Sequence, residues 1–129
     1  MNKNNKIIYP ELSYTITGIC FNIHNEDGRF LREKQYGDKV EKKLNEVGLV
    51  YKRELIIGES GNVVDFLIEN KIILGIKAKR IIEKEDFYQM QRYLQSTRIK
   101  LGLIVNFRNR YLKPVRVIRI DTDAKNKFV

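Results

Sequence analysis

The chain has 129 residues, with 25 Lys and Arg against 16 Asp and Glu, for a formal net charge of +9. That length fits one domain, the 43% hydrophobic content suffices for one ordinary core, and no apolar run is long enough to span a membrane. One cysteine, Cys20, and one histidine, His24, exclude an internal disulfide, a cysteine zinc cluster and a multi-histidine metal centre. Met1 to Lys6 is polar and lacks the apolar stretch of a secretory leader, so a reduced cytoplasmic setting is expected. The charge points to an anionic partner, of which nucleic acid is the commonest.

Residues 1–9 read as a loose arm and Pro10 as a helix opener. From Glu11 to about Asn25, Leu12, Ile16, Ile19 and Ile23 recur at helical steps, and Asp27-Gly28 breaks the pattern. A second helix is predicted over Leu31 to Val47, with Tyr36, Val40, Leu44 and Val47 facing inward and Gly48 as its cap. Glu33 lies on the backward extension of that stripe, where a first-turn acid also suits the helix dipole.

Three strands are predicted next: Val50 to Ile57, Asn62 to Ile68, and Lys71 to Lys77. Alternation groups Val64, Phe66 and Ile68 on one face of the middle strand, with Val63, Asp65 and Leu67 opposite. In the third strand Ile72, Leu74 and Ile76 share a face, and Ile73, Gly75 and Lys77 share the other. A third helix covers Lys84 to Gln95, with Phe87, Met90 and Leu94 buried and Gln89 and Tyr93 on a neighbouring face. Leu101 to Phe107 reads as a continuous apolar strand, which suggests burial on both faces, and Val115 to Ile120 is a last one before a frayed tail at 121–129. The order α-α-β-β-β-α-β-β predicts an α/β (α+β) domain, a mixed β-sheet core flanked by helices.

Asp65 is an acid within an apolar strand, and a buried charge is costly unless paired or metal-bound. With Lys77 on the next strand it forms either a structural ion pair or one half of a hard-metal site. Mg²⁺ takes one or two carboxylates together with phosphate oxygens, and Glu33 is a candidate second carboxylate. A lysine beside such a site positions the attacking water or stabilises charge on phosphorus. A strict two-residue turn at Glu69-Asn70 pairs Asp65 with Leu74 and puts it on the face away from Gly75 and Lys77. The metal-site reading therefore requires an odd-numbered loop or a bulge.

The sequence resembles the GxxExxY proteins, a branch of the PD-(D/E)XK nuclease-like superfamily, from about Tyr9 to Ile120. Glu11-Leu-Ser-Tyr-Thr-Ile-Thr-Gly-Ile-Cys-Phe-Asn-Ile-His-Asn-Glu-Asp-Gly28 is similar to the family's first helix, and Glu33 and Tyr36 match its ExxY. Phe30 stands where the naming glycine is usual. Asp65-Phe-Leu-Ile-Glu-Asn-Lys-Ile-Ile-Leu74 matches the hairpin of the motif Asp, Gln89 and Tyr93 match a QxxxY helix, and Leu101 to Phe107 matches the closing core strand. The resemblance implies a restriction-endonuclease-like fold, Mg²⁺ or Mn²⁺ as cofactor if the site is active and none otherwise, and phosphodiester hydrolysis. It implies Asp65, Glu33 and the Ile76 carbonyl as metal ligands, Lys77 beside the water, and Gln89 orienting water or a ligand.

The superfamily's Glu-x-Lys reads Gly75-Ile76-Lys77 here, so the second metal carboxylate is missing. Glu54, Glu83 and Glu85 are acids that a substitute site could draw on. Lys79, Arg80, Lys84 and Arg92, with Tyr93, are expected as a nucleic-acid-contacting rim, continued by Arg98, Lys100, Arg108, Arg110 and Lys113. DNA is favoured over RNA as partner, no membrane is expected, and homodimerisation is left open by the resemblance. Two functions compete: a weakened metal-dependent nuclease, and a non-catalytic domain that binds nucleic acid or a protein partner.

Overall fold

A computed structural model describes residues 8–59 and 61–120. Residues 1–7 of the expected 1–9 arm, the tail over 121–129 and Ser60 of the expected turn lie outside them. The elements are α1 (Pro10–Asp27), α2 (Glu33–Val47), β1 (Tyr51–Ile57), β2 (Asn62–Ile68), β3 (Ile72–Lys77), α3 (Lys84–Thr97), β4 (Leu101–Asn106) and β5 (Val115–Ile118). Among the described residues no helix is long and apolar enough to cross a membrane.

Pro10 opens α1 at a position where its missing N–H costs nothing. The helix buries Ile16, Ile19, Cys20 and Ile23 and ends at Gly28, whose φ of 77° lies in the left-handed region and whose N–H reaches the His24 carbonyl. Burial pushes the Cys20 thiol up to about 12, which keeps it an unreactive core group. Helix α2 starts two residues later than expected, because Arg32 forms the cap and its N–H is taken by the Gln35 side chain at 2.9 Å. Val47 was expected inward and is instead exposed. The chain turns at Gly48, Leu49 N–H bonds back to the Leu44 carbonyl at 3.0 Å, and Leu49 packs on the core in place of Val47.

The five strands form one mixed sheet in the order β1-β2-β3-β4-β5. Pairing is antiparallel except for β3 with β4, where α3 makes the crossover that parallel neighbours require. Helices α1 and α2 cover one face over Phe66, Ile68, Ile72, Leu74, Ile76, Leu103 and Val105. Helix α3 covers the other over Leu67, Ile73, Ile104 and Val117, contributing Met90, Tyr93 and Leu94. Every residue of β4 is buried, as expected for a strand covered on both sides.

Two features of the hairpins decide where chemistry can occur. The β2–β3 turn holds three residues, Glu69, Asn70 and Lys71, since Ile68 pairs with Ile72. Glu69 and Asn70 adopt left-handed backbone with φ of 54° and 55°. The ladder runs Ile68↔Ile72, Leu67↔Ile73, Phe66↔Leu74. Continued by one residue, this odd-numbered loop sets Asp65 opposite Gly75, as the metal-site reading requires.

The second feature corrects the expected grouping of Val64 with Phe66 and Ile68. Val64 packs in the α3-side cluster with Leu55 and Ile57, whereas Phe66 and Tyr51 pack on the α1–α2 side. Register is the same on either side of the change, Arg53↔Phe66 and Leu55↔Val64, so no residue is inserted. The intervening Glu54 has a φ of 52°, and both strands coil there, passing their apolar side chains from one sheet face to the other. Asp65 sits at that crossing.

Met90 lies over two glycines of adjacent parallel strands. A Cβ at Gly102 would meet Met90 Sδ and would lie 2.8 Å from its Cγ, whereas one at Gly75 would lie 3.3 Å from the terminal methyl. Gly102→Ala is therefore expected to cost about 1–3 kcal/mol by overpacking, and Gly75→Ala well under half of that. Urea denaturation of the two variants beside wild type measures the difference. Equal costs would show that Met90 is not held where its packing places it.

Candidate active site

The β2–β3 ladder ends at Phe66↔Leu74, while β2 continues with β1 and β3 continues with β4 through Lys77↔Asn106. The two strands fork. Beyond the fork Ile76 has lost its β2 partner, and its N–H is taken by Asp65 Oδ2 at 2.7 Å. A residue's N–H and C=O point to the same side of an extended strand, so the Ile76 carbonyl also faces the fork. Asp65 also borders the space that the fork opens.

A cavity of about 170 Å³ opens here. Its wall includes Glu33 from α2, Asp65 from β2, Gly75 and Lys77 from β3, and Asp86, Gln89 and Tyr93 from α3. A neighbouring cavity of about 310 Å³ shares Glu33 and Asp65 and adds Lys34, Arg53, Glu54 and Ile76. Six of the positions singled out in the sequence thus converge on one space: Glu33, Asp65, Gly75, Lys77, Gln89 and Tyr93. Ile76 borders the adjoining one.

Lys77 is held in place. Its Nζ donates to Gln89 Oε1 at 2.8 Å and lies 3.7 Å from Asp86 Oδ1. Asp86 is only 7% exposed and has three partners, since its Oδ2 also accepts Lys79 Nζ and the Glu83 N–H, both at 2.8 Å. Burial works to raise its carboxyl, but the Glu83 N–H and the two lysines overcome it and hold Asp86 below the ordinary carboxylate range. Sequence reading passed over Asp86. Its one signal was an acid three residues after Glu83, where it closes the first turn of α3 by a reciprocal bond to the cap. Asn106 was also passed over, hidden at the end of an apolar strand. It is 2% exposed and clamps Lys79 through the Lys79 N–H at 3.1 Å and the Lys79 carbonyl at 2.7 Å.

Asp65 and Glu33 behave oppositely to Asp86. Burial pushes Asp65 above its usual range despite the Ile76 N–H and Lys77. Glu33, at the cavity mouth, is raised by partial burial and then by the Asp65 charge, with Lys77 and Lys79 opposing. Two carboxylates near one another are under-compensated by the protein, and hard oxygen donors of this kind suit Mg²⁺ or Mn²⁺. Among the described residues no group of three or more His, Cys, Asp or Glu is arranged to hold a metal ion. A divalent ion would therefore use two carboxylates, a carbonyl, waters and phosphate oxygens, a composition that suits Mg²⁺.

The three acids considered as substitutes separate. Glu54 lines the larger cavity, Glu83 points to Lys79 at 3.5 Å, and Glu85 is exposed. Of the expected rim, Arg80, Lys84 and Arg92 are exposed, Lys79 is tied to Asp86, and Tyr93 is largely buried in the α3-side core.

Tyr36 explains how Glu33 is placed. It is fully buried one turn after Glu33, stacked on Phe107 at 4.2 Å between ring centroids. Its hydroxyl donates to the Gly28 carbonyl at 2.6 Å and accepts the Leu31 N–H at 3.3 Å, fastening the loop that leads into α2. His24 does similar work, with Nε2 2.7 Å from the Asn109 carbonyl.

Helices on both faces of a five-stranded mixed sheet, with a carboxylate and a lysine at a strand fork, define the restriction-endonuclease-like class of α+β domains. The chain belongs to the PD-(D/E)XK nuclease superfamily, whose family model matches residues 10–120. Among solved structures it is similar to an alkaline exonuclease (LHK-Exo) from Laribacter hongkongensis, with a TM-score of 0.49 and 16% sequence identity over 98% of this chain and 76% of that one. No curated protein matches the sequence.

The raised carboxyls fix the sign of a pH effect. Their protonated forms favour the folded state, so the stability they contribute is complete below the unfolded-state pKa and is lost as pH rises through the folded value. Metal-free Asp65→Asn and Glu33→Gln should therefore gain stability relative to wild type as pH goes from the acid side of the carboxylate range to neutrality. Denaturation midpoints at the two pH values test this, and a wild type that gains instead would refute the assignment. Tyr36→Phe is expected to cost about 0.5–1.5 kcal/mol by removing the hydroxyl that joins the Gly28 carbonyl to the Leu31 N–H, as read by the same measurement.

Proposed function

We propose that this chain is a single nucleic-acid-directed domain of the GxxExxY branch, cytoplasmic, with a weakened Mg²⁺- or Mn²⁺-dependent phosphodiesterase site and DNA as its substrate. The observation that carries the reading is the convergence of Asp65, Glu33, Lys77 and Gln89 on one cavity from four separate elements. Asp65, Glu33 and the Ile76 carbonyl are the residues that would hold the ion. When bound, a divalent ion there neutralises phosphate charge and lowers the pKa of water.

The remaining steps belong to the chain. Lys77, oriented by Gln89 and Asp86, offers an ammonium to the scissile phosphate and steadies the charge that builds on its oxygens. Water oxygen adds to phosphorus, one P–O ester bond breaks, and the departing oxygen takes up a proton. Arg80, Lys84 and Arg92 are free at the surface to track the flanking phosphates.

A second reading, a binder without catalysis, is favoured by one observation. Gly75 carries no carboxylate, and Met90 lies beside the space that its side chain would enter. Cleavage of single-stranded and duplex DNA and of RNA, with Mn²⁺ or Mg²⁺, separates the two. Slow cleavage by wild type, lost in Asp65→Ala, is the expected result. Calorimetry supplies a readout independent of turnover: Mn²⁺ should bind wild type, fail on Asp65→Ala, and bind Gly75→Glu at least about tenfold more tightly, a step within the range by which a site's supporting groups alter affinity. Absence of both cleavage and Mn²⁺ binding in wild type would eliminate the nuclease reading.

A further inference from the structure

Phe30 and Tyr111 are among the most exposed large side chains, at 71% and 76%. Neither is alone. Arg29 Cζ lies 4.8 Å and Arg108 Cζ 5.5 Å from the Phe30 ring centroid, and Arg110 Cζ lies 5.4 Å from that of Tyr111. The two loops that carry them are bound reciprocally, Arg29 Nη1 to the Arg108 carbonyl at 3.4 Å and Arg108 Nε to the Arg29 carbonyl at 3.0 Å. Among the described residues none of the three guanidiniums forms an ion pair with a carboxylate.

The two loops join directly to elements that line the cavity, α2 through Glu33 and β4 through Ile104. Phe30 precedes Glu33 by three residues. The other loop leaves β4 beside Lys77, whose carbonyl accepts the Phe107 N–H at 2.9 Å, and Asn106 Oδ1 bonds the N–H groups of both Lys79 and Arg108.

We propose that Arg29, Phe30, Arg108, Arg110 and Tyr111 form a stacking platform for unpaired bases, so that the strand reaching the Asp65 cavity is single-stranded nucleic acid or a frayed end. The proposal rests on the nucleic-acid reading above and names the form of substrate. Three uncompensated cations call for phosphates. Two exposed rings call for flat apolar faces, which a continuous duplex keeps inside its stack and a single strand presents at every nucleotide.

The chain has no tryptophan, so Phe30→Trp introduces a single fluorescent reporter at an exposed site. A single-stranded oligonucleotide of about 12 nucleotides, within the site sizes of stacking binders, should quench its emission. A closed circular duplex should bind without quenching. Phe30→Ala should weaken single-strand binding about 5- to 150-fold, the equivalent of one stacked base, and leave closed-duplex binding within about twofold, while Phe30→Tyr keeps both. Equal loss on both forms, or single-strand binding without quenching, overturns the platform and leaves the nuclease reading standing. No binding to either form overturns both. A blue shift with anionic phospholipid vesicles and no response to oligonucleotide would assign the patch to a lipid surface instead.

Discussion

One hydrogen bond organises this domain. Where β2 and β3 part, the Ile76 N–H loses its strand partner and Asp65 supplies one through its side chain. An unpaired N–H there would carry the cost of a lost hydrogen bond. The same carboxylate is thereby held at the fork, on the wall of the cavity. The fork exists because the β1–β2 pair coils at Glu54 and Asp65, carrying Val64 to the opposite face from Phe66. Architecture and chemistry are the same feature seen at two scales.

Around that point the charges divide into two groups. Asp86 is satisfied by two lysines and a backbone N–H, so it behaves as a structural anion that fixes Lys77, Lys79 and the start of α3 together. Asp65 and Glu33 are under-satisfied, and their carboxyls rise. Perturbed acids in a cleft beside a fixed cation are a usual mark of a functional site. The strain is local, because the surrounding sheet is buried on both faces and the loop into α2 is fastened through Tyr36.

Gly75 alters this site without disturbing its frame. The adjoining glycine, Gly102, is needed by Met90 packing, whereas position 75 meets only the flexible end of that side chain. A missing carboxylate therefore leaves Lys77, Gln89 and Asp65 where they are. The frame and the residue at position 75 are separable, because the packing that fixes Lys77, Gln89 and Asp65 does not run through it.

The order of elements was readable from the sequence because it follows from local periodicity: apolar residues at steps of three and four for α1 and α3, alternation and β-branched runs for the strands. An odd-numbered loop or a bulge between β2 and β3 was also foreseen, through chemistry, since Asp65 and Lys77 are useful together only on one face, and the three-residue turn is the first of these. What periodicity cannot carry is a change of face within a strand, and Val64 was assigned to the wrong side for that reason. Val47 failed similarly, because the chain folds back at Gly48 and presents Leu49. Asp86 and Asn106 looked like a first-turn acid and the last residue of an apolar strand. Their importance comes from Lys77 and Lys79, distant in the chain and brought within hydrogen-bond reach only by the sheet. The sequence by itself determined the order of elements, the net charge of +9 and the glycine at position 75. Tertiary structure alone decided which charges meet, because burial and distance, not spacing along the chain, set what a carboxylate or an arginine can do.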